Sequence, residues 1–248
     1  MALAFIATAC TTSMSAAAES ARLNAIFSAA SQGRFIAKEE EEAISAVGGP
    51  RAARYGEITP KGFSTLAARL SLSESDTFAD LGSGIGKACS QAVQEFGVRR
   101  AVGIELSSTR HATAVEERQG LESSIAERVL LECGDCADEA FWSPPKVAFC
   151  SKGLCKQPGG LLADATVLWI CSELYSDELM RRIGERICGS NVRAVATLRA
   201  FPGGLDGYER QEPPERCEMS WRAALMDPRK PDEELAGSPV IIYERKIA

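Results

Sequence analysis

Histidine is almost missing from this chain: His111 is the only one in 248 residues. Cys133-Gly-Asp-Cys136 is likewise the only CxxC, with no second pair to complete four ligands, so no metal site is expected. An excess of positive charge is lacking too. Lys and Arg number 28 against 34 Asp and Glu, a formal net charge of -6, and the pI is about 5.1. That balance argues against a general nucleic-acid binder, which needs a basic surface to neutralise phosphates, and any contact with chromatin has to be local. No apolar run approaches the ~20 residues that cross a bilayer, so no membrane-spanning helix is encoded.

What is present reads as an ordinary globular protein, 45% hydrophobic and 25% charged, long enough for one sizeable α/β domain or a domain with an appendage. Nine cysteines, odd in number and irregularly spaced, fit a reducing compartment. The opening MALAFIATACTTSMSAAAES has a short apolar run without a basic residue before it, and no Arg precedes Arg22. Residues 1–18 therefore read as a disordered or helical leader.

Residues 19–76 read as N-terminal helices and a loop. Leu23, Ile26, Phe27 and Ala30 share one face at helical spacing, a polar helix follows Gly33, and the run EEEE at 39–42 reads as its solvated face. After Gly48-Gly49-Pro50, a loop leads to a helix starting near Pro60, with Phe63, Leu66, Ala67 and Leu70 on one side. Residues 77–248 read as the core. TFADL, RAVGIEL, RVLLECGD and ATVLWICSEL are strands separated by helical segments, which predicts a parallel sheet. Towards the end VRAVATLRAF, CEMSW and SPVIIYERK are strands with no helix between the last two, so an antiparallel hairpin finishes the sheet. The segment at 142–163, with mixed polarity and Pro/Gly punctuation, reads as a long excursion.

The stretch FADLGSGIGKA at 78–88 is a strand, a glycine turn and a helix. Its glycines, Gly82, Gly84 and Gly86, give GxGxG where a dinucleotide site wants GxGxxG. Lys87 is followed by Ala88, so the hydroxyl that a P-loop uses for magnesium is missing. Charge discriminates further. Asp80 ends the strand just ahead of the turn, where it would repel a pyrophosphate but could accept from an ammonium. S-adenosylmethionine carries a sulfonium, an ammonium and a carboxylate, and no phosphate; turn amides are expected to serve its carboxylate. Glu105 ends the next strand, where a carboxylate can hold two ribose hydroxyls, and Asp135 follows the third, where an adenine amino group needs an acceptor.

Together with Tyr55-Gly56-Glu57 upstream, these motifs carry a resemblance. YGEITPKGF at 55–63, FADLGSGIGKA at 78–88, VGIELSSTRHA at 102–112 and CGD at 133–135 resemble the histone H3 lysine-79-type methyltransferases, the disruptor-of-telomeric-silencing catalytic domain, especially its divergent forms in unicellular eukaryotes. The resemblance spans roughly residues 50–246 and implies an α/β, seven-strand, Rossmann-like class I S-adenosylmethionine-dependent methyltransferase fold with N-terminal helices. It also implies site residues. Tyr55, Glu57 and Thr59 would lie in a loop over the methionine end of the cofactor, with Asp80, Gly82 and Gly84 around its amino-acid part. Glu105 would hold the ribose and Asp135 the adenine, beside Cys136, which stands where the family stacks an aromatic. Tyr243 matches a tyrosine lining the lysine channel, and Ser172 falls where the family has the second of two asparagines.

The activity implied is transfer of a methyl group to a lysine amine, with histone H3 in nucleosomes as the protein substrate, and the nucleus as the compartment, the cytoplasm being the alternative. The missing basic tail and the altered Cys171-Ser172 region keep two other readings open: a methyltransferase of the same fold acting on another protein or a small molecule, and a cofactor-binding module without turnover.

Overall fold

The computed structural model describes residues 35–150, 153–157, 159–223 and 237–246. The leader and the helical face built on Leu23, Ile26, Phe27 and Ala30 lie outside them. A seven-stranded sheet organises the described residues. Its first three strands are β1 (Thr77–Leu81), β2 (Arg100–Glu105) and β3 (Val129–Cys133). Next in the sheet come β6 (Val167–Ile170), β7 (Ala194–Thr197), β8 (Tyr208–Cys217) and β9 (Ser238–Arg245). In space the order is β3-β2-β1-β6-β7-β9-β8. The first five in that order are parallel, β9 runs antiparallel to β7, and β8 antiparallel to β9. A parallel sheet with both faces covered needs strands apolar on both sides, and every residue of β1, β6 and β7 is buried.

Two departures from the sequence reading concern connections. The first strand of the terminal hairpin is not CEMSW but β8, ten residues carrying Pro213 and Pro214, to which CEMSW contributes Cys217 alone. Prolines and charges suit it because β8 is an edge, where a missing N–H costs no pairing and blunts association. The excursion at 142–163 contains a small antiparallel ribbon, β4 (Lys146–Cys150) with β5 (Gly153–Gln157).

Helices cover both faces. After a first helix, α1 (Lys38–Gly48), helices α2 (Pro60–Arg69) and α3 (Lys87–Phe96) lie on one face and bury Phe63, Leu66, Ala92 and Val93 against Phe78, Trp169 and Ile242. On the other, a helix at Asp177–Cys188 buries Met180, Ile183 and Ile187 against Leu81, Ile104 and Val195. Each fully buried aliphatic of this kind contributes roughly 1.5–3 kcal/mol. Alternation along β1 points Phe78 towards the first cluster and Ala79 and Leu81 towards the second. None of the described helices is long and apolar enough to cross a membrane.

Candidate active site

At the carboxyl ends of β1, β2, β3 and β6 a cleft opens to solvent. Such a position, beside the strand order reversal at β1, is where open α/β sheets bind ligands. Asp80, Gly82, Gly84, Glu105, Asp135 and Cys136 line it, joined by Tyr55 and Glu57 from the loop before α2. Lys87, Arg110, Trp169 and Tyr175, to which sequence reasoning gave no role at the site, line it too, as does Cys171 of the altered Cys171-Ser172 region.

The turn after β1 is built for close approach. Gly82 and Gly84 adopt φ of 92° and 55°, where L side chains are strained. A Cβ on Gly82 would stand 2.1 Å from the Tyr175 hydroxyl, and one on Gly84 3.0 Å from the Tyr55 ring. The turn amides are committed internally. Gly82 and Ser83 donate to Ile104 O, Gly84 donates to Glu105 Oε2 at 2.8 Å, and Gly86 donates to Ser83 O. The amides of Gly82, Ser83, Gly84 and Gly86 are thus already paired within the protein, and the cation at the turn is Lys87. This lysine is buried, and its Nζ donates to Glu57 Oε1 at 2.6 Å. Tyr55 donates to the other Glu57 oxygen at 2.7 Å, and burial, then the Glu57 charge, pushes its hydroxyl pKa up.

The loop carrying Tyr55 and Glu57 is pinned from behind. Ile58 bridges Met219, Glu57 N donates to Ser220 Oγ, Ser220 N donates to Glu57 O, and the Trp221 ring packs on Gly56. Thr59 belongs to this anchorage and does not line the cleft. Its Oγ1 caps α2 by accepting from Gly62 N, and its own N–H donates to Glu218 O.

Asp80 is 4% exposed, and its Oδ1 has no hydrogen-bond partner among the described residues. Burial first, then the charge of Glu105, raises its pKa to about 8. A buried, unpartnered carboxyl oxygen in a cleft calls for a donor from a ligand. Glu105 accepts one backbone N–H on each oxygen, from Gly84 and from Ser107, and Arg110 stands 4.0 Å away. Lone pairs remain there for hydroxyls. Asp135 is more fully engaged than expected: Oδ1 accepts from Ala137 N, and Oδ2 from Arg182 at 2.7 Å. Cys136 is buried in the wall, where burial raises its thiol pKa, and its carbonyl accepts from the Trp142 indole.

Ser172 and Tyr243, expected at a lysine channel, are not among the cleft-lining residues. Tyr243 pairs in register with Val195, both packing in the second cluster, whereas Trp169 and Ile242 pack in the first with Phe78. Its side chain thus projects from the sheet face opposite that of Phe78 and Asp80, and it stacks edge-on against Phe201 at 5.5 Å. Ser172 is fully buried and bridges Thr197 Oγ1 at 2.6 Å and Arg199 N at 3.0 Å.

An acid without phosphate partners, hydroxyl acceptors on β2 and a glycine turn suit S-adenosylmethionine, and the sheet order is that of the class I S-adenosylmethionine-dependent methyltransferases. Three solved structures resemble this fold. An RNA methyltransferase from Salinibacter ruber, solved with S-adenosyl-L-homocysteine, is 18% identical over 77% of this chain and 97% of its own, at a TM-score of 0.45. A methyltransferase from Thiobacillus denitrificans, also with S-adenosyl-L-homocysteine, is 19% identical over 62% of this chain and 49% of its own, at 0.40. Geranyl diphosphate C-methyltransferase from Streptomyces coelicolor is 19% identical over 54% and 44%, at 0.38. The chain thus spans about half the length of the last two. No curated protein matches it. The family model described as histone methylation protein DOT1 matches residues 51–197, more than half of the chain. The chain belongs to that family.

Proposed function

We propose that this protein is an S-adenosylmethionine-dependent protein-lysine N-methyltransferase acting on a histone, of the H3 lysine-79 type, and working in the nucleus. Family membership supports the histone substrate. The observation that carries the cofactor assignment is the buried, unpartnered Oδ1 of Asp80 beside the glycine turn.

When bound, the cofactor supplies a methyl group made electrophilic by its sulfonium. The chain's own residues do the rest. Asp80 would accept from the amino group, Lys87 would face the carboxylate, and Glu105 would take the ribose hydroxyls on the lone pairs its backbone donors leave free. Asp135, oriented by Arg182, would offer its remaining acceptor capacity to adenine. Glu57 ties Tyr55 to Lys87 and so fixes the loop over the methionine end. A target lysine must arrive as the neutral amine; the dry wall formed by Trp169 and Cys171 lowers its pKa, and no general base is assigned. Ser172 supports this wall from behind, holding residues 171–175 to Thr197 and Arg199.

The second reading, a methyltransferase for another protein or a small molecule, draws on Ser172 and Tyr243 lying away from the cleft. Incubation of the protein with methyl-labelled cofactor and either nucleosomes or a cell extract separates these. Label on histone H3 supports the proposal. Label only on other molecules replaces it with the second reading, and cofactor binding without transfer in either mixture points to a module without turnover.

A further inference from the structure

We propose that the helix at Lys38–Gly48, upstream of the family-matched segment, is a third wall of the cofactor cleft, and that Glu40 is the positioning residue that docks it. The proposal rests on the assignment of the cleft to S-adenosylmethionine. Ile44, Val47 and Gly48 of this helix line the cleft. Its apolar anchorage is slight: within the helix only Ile44 and Gly48 are buried. Polar contacts at both ends supply the rest.

At the first turn, the Glu40 carboxylate reaches the segment that follows Glu105. Oε1 accepts from Ser107 Oγ at 2.7 Å, Ser108 Oγ at 3.3 Å and Thr109 N at 3.0 Å, and Oε2 accepts from Thr109 Oγ1 at 2.6 Å. These donors sit at the start of the helix Ser108–Gln119, where an anion is favoured by the exposed amides and the helix dipole. Burial alone would raise the Glu40 pKa, but these hydrogen bonds outweigh it and bring the group down to about 2, so the clasp is ionised at neutral pH. At the other end, Gly48 O accepts from Ser176 N at 2.7 Å, next to Tyr175 of the cleft. Just beyond, Arg110 donates to Ala53 O and lies over the Tyr55 ring at 5.1 Å, which carries the docking through to the Tyr55 loop.

The two clasp points flank the cleft, one two residues past Glu105 and one beside Tyr175. Docking the helix and shaping the site are therefore one equilibrium, and a ligand that touches this wall favours the docked state. The test uses the full chain and S-adenosyl-L-homocysteine as the probe. In the unaltered protein, probe binding should slow amide hydrogen exchange across residues 38–48. Glu40→Ala should raise the probe's Kd about tenfold, as expected when charge-assisted hydrogen bonds that hold a binding-competent state are lost. Glu40→Gln, which keeps one acceptor oxygen, should recover most of it, and Glu41→Ala on the solvated face should leave Kd unchanged. With a transferable substrate, the effect should fall on KM for the cofactor and spare kcat. Unchanged exchange at 38–48 on binding, or a Glu40→Ala Kd within about twofold of the original, where Kd,app simply tracks the competent fraction, overturns the proposal. Failure of the unaltered protein to bind the probe at all overturns the cofactor assignment and this proposal with it.

Discussion

A carboxyl with its pKa raised to about 8 is mostly protonated at neutral pH, and that is the state of Asp80 in the ligand-free cleft. Meeting a cationic donor favours the carboxylate, so cofactor binding near pH 7 should release a proton from this group. Calorimetry with S-adenosyl-L-homocysteine in buffers of different ionisation enthalpy should give different apparent enthalpies; identical values would show that Asp80 does not ionise on binding. Asp80→Asn should weaken binding by at least about tenfold, the scale of a hydrogen bond to a charged group. Lys87 presents the opposite problem, a buried cation satisfied by Glu57. Lys87→Met should cost about 3 kcal/mol of stability in urea titrations, the scale for stranding one partner of a buried pair, and adding Glu57→Gln should return much of it. Equal loss in the single and double variants would mean that the pair is not what holds Lys87 in place. Asp80 could be singled out from the chain alone because its place ahead of a glycine turn conflicts with phosphate. Lys87 could not, since nothing near it in sequence announces a partner thirty residues away.

At the scale of elements, strand register decided where side chains point. A residue on β9 faces one side of the sheet or the other according to its pairing, and a shift of one position reverses every side chain. The register Val195 with Tyr243 sends the tyrosine to the face away from Asp80 and against Phe201. Tyr243→Phe should therefore leave the rate of methyl transfer within about a factor of two and stability within about 1 kcal/mol, since among the described residues its hydroxyl accepts only a long bond, from Phe201 N at 3.4 Å. A large fall in transfer at unchanged stability would place the hydroxyl at the reacting amine. The alternation of strands and helices from residue 77 was legible because buried parallel strands are apolar throughout and helices keep a periodic face. β8 was not: YERQEPPERC has charges and two prolines where a strand pattern expects apolar alternation, and only its place at the sheet edge makes it a strand. The run EEEE shows the same limit. Glu39, Glu41 and Glu42 are exposed as a charged helix face should be, but Glu40 turns to Ser107 and Thr109.

Across the whole molecule, pH acts through groups of opposite sense. Burial raises the Asp76 pKa, but hydrogen bonds from Arg193 and Thr166 more than offset it and leave the group lowered, as the clasp does for Glu40. Each such carboxylate contributes stability that is present above its unfolded value, 3.8 for Asp and 4.5 for Glu, and is lost as pH falls through the lowered one. Asp80 behaves inversely. Its folded pKa lies above 3.8, so its protonated form favours the fold at low pH, and stability declines as pH rises from about 4 to about 8. The ligand-free protein should thus show a higher urea midpoint near pH 5 than near pH 8.5, and Asp80→Asn should flatten that difference. A midpoint that climbs between these two values would contradict the burial assigned to Asp80.

The sequence by itself determined the class of the sheet, the strand-turn-helix that makes the glycine turn, and the placing of Asp80, Glu105 and Asp135 at successive strand ends. These are local consequences of periodicity, backbone freedom at glycine and charge, and need no knowledge of distant residues. Only the tertiary structure decided that Ser172 and Tyr243 turn into the core, that Thr59 caps a helix, and that Lys87, Arg110 and the helix bearing Glu40 join the cleft. Those outcomes depend on pairings between residues far apart in the chain, set by strand register and by which buried polar group finds which partner.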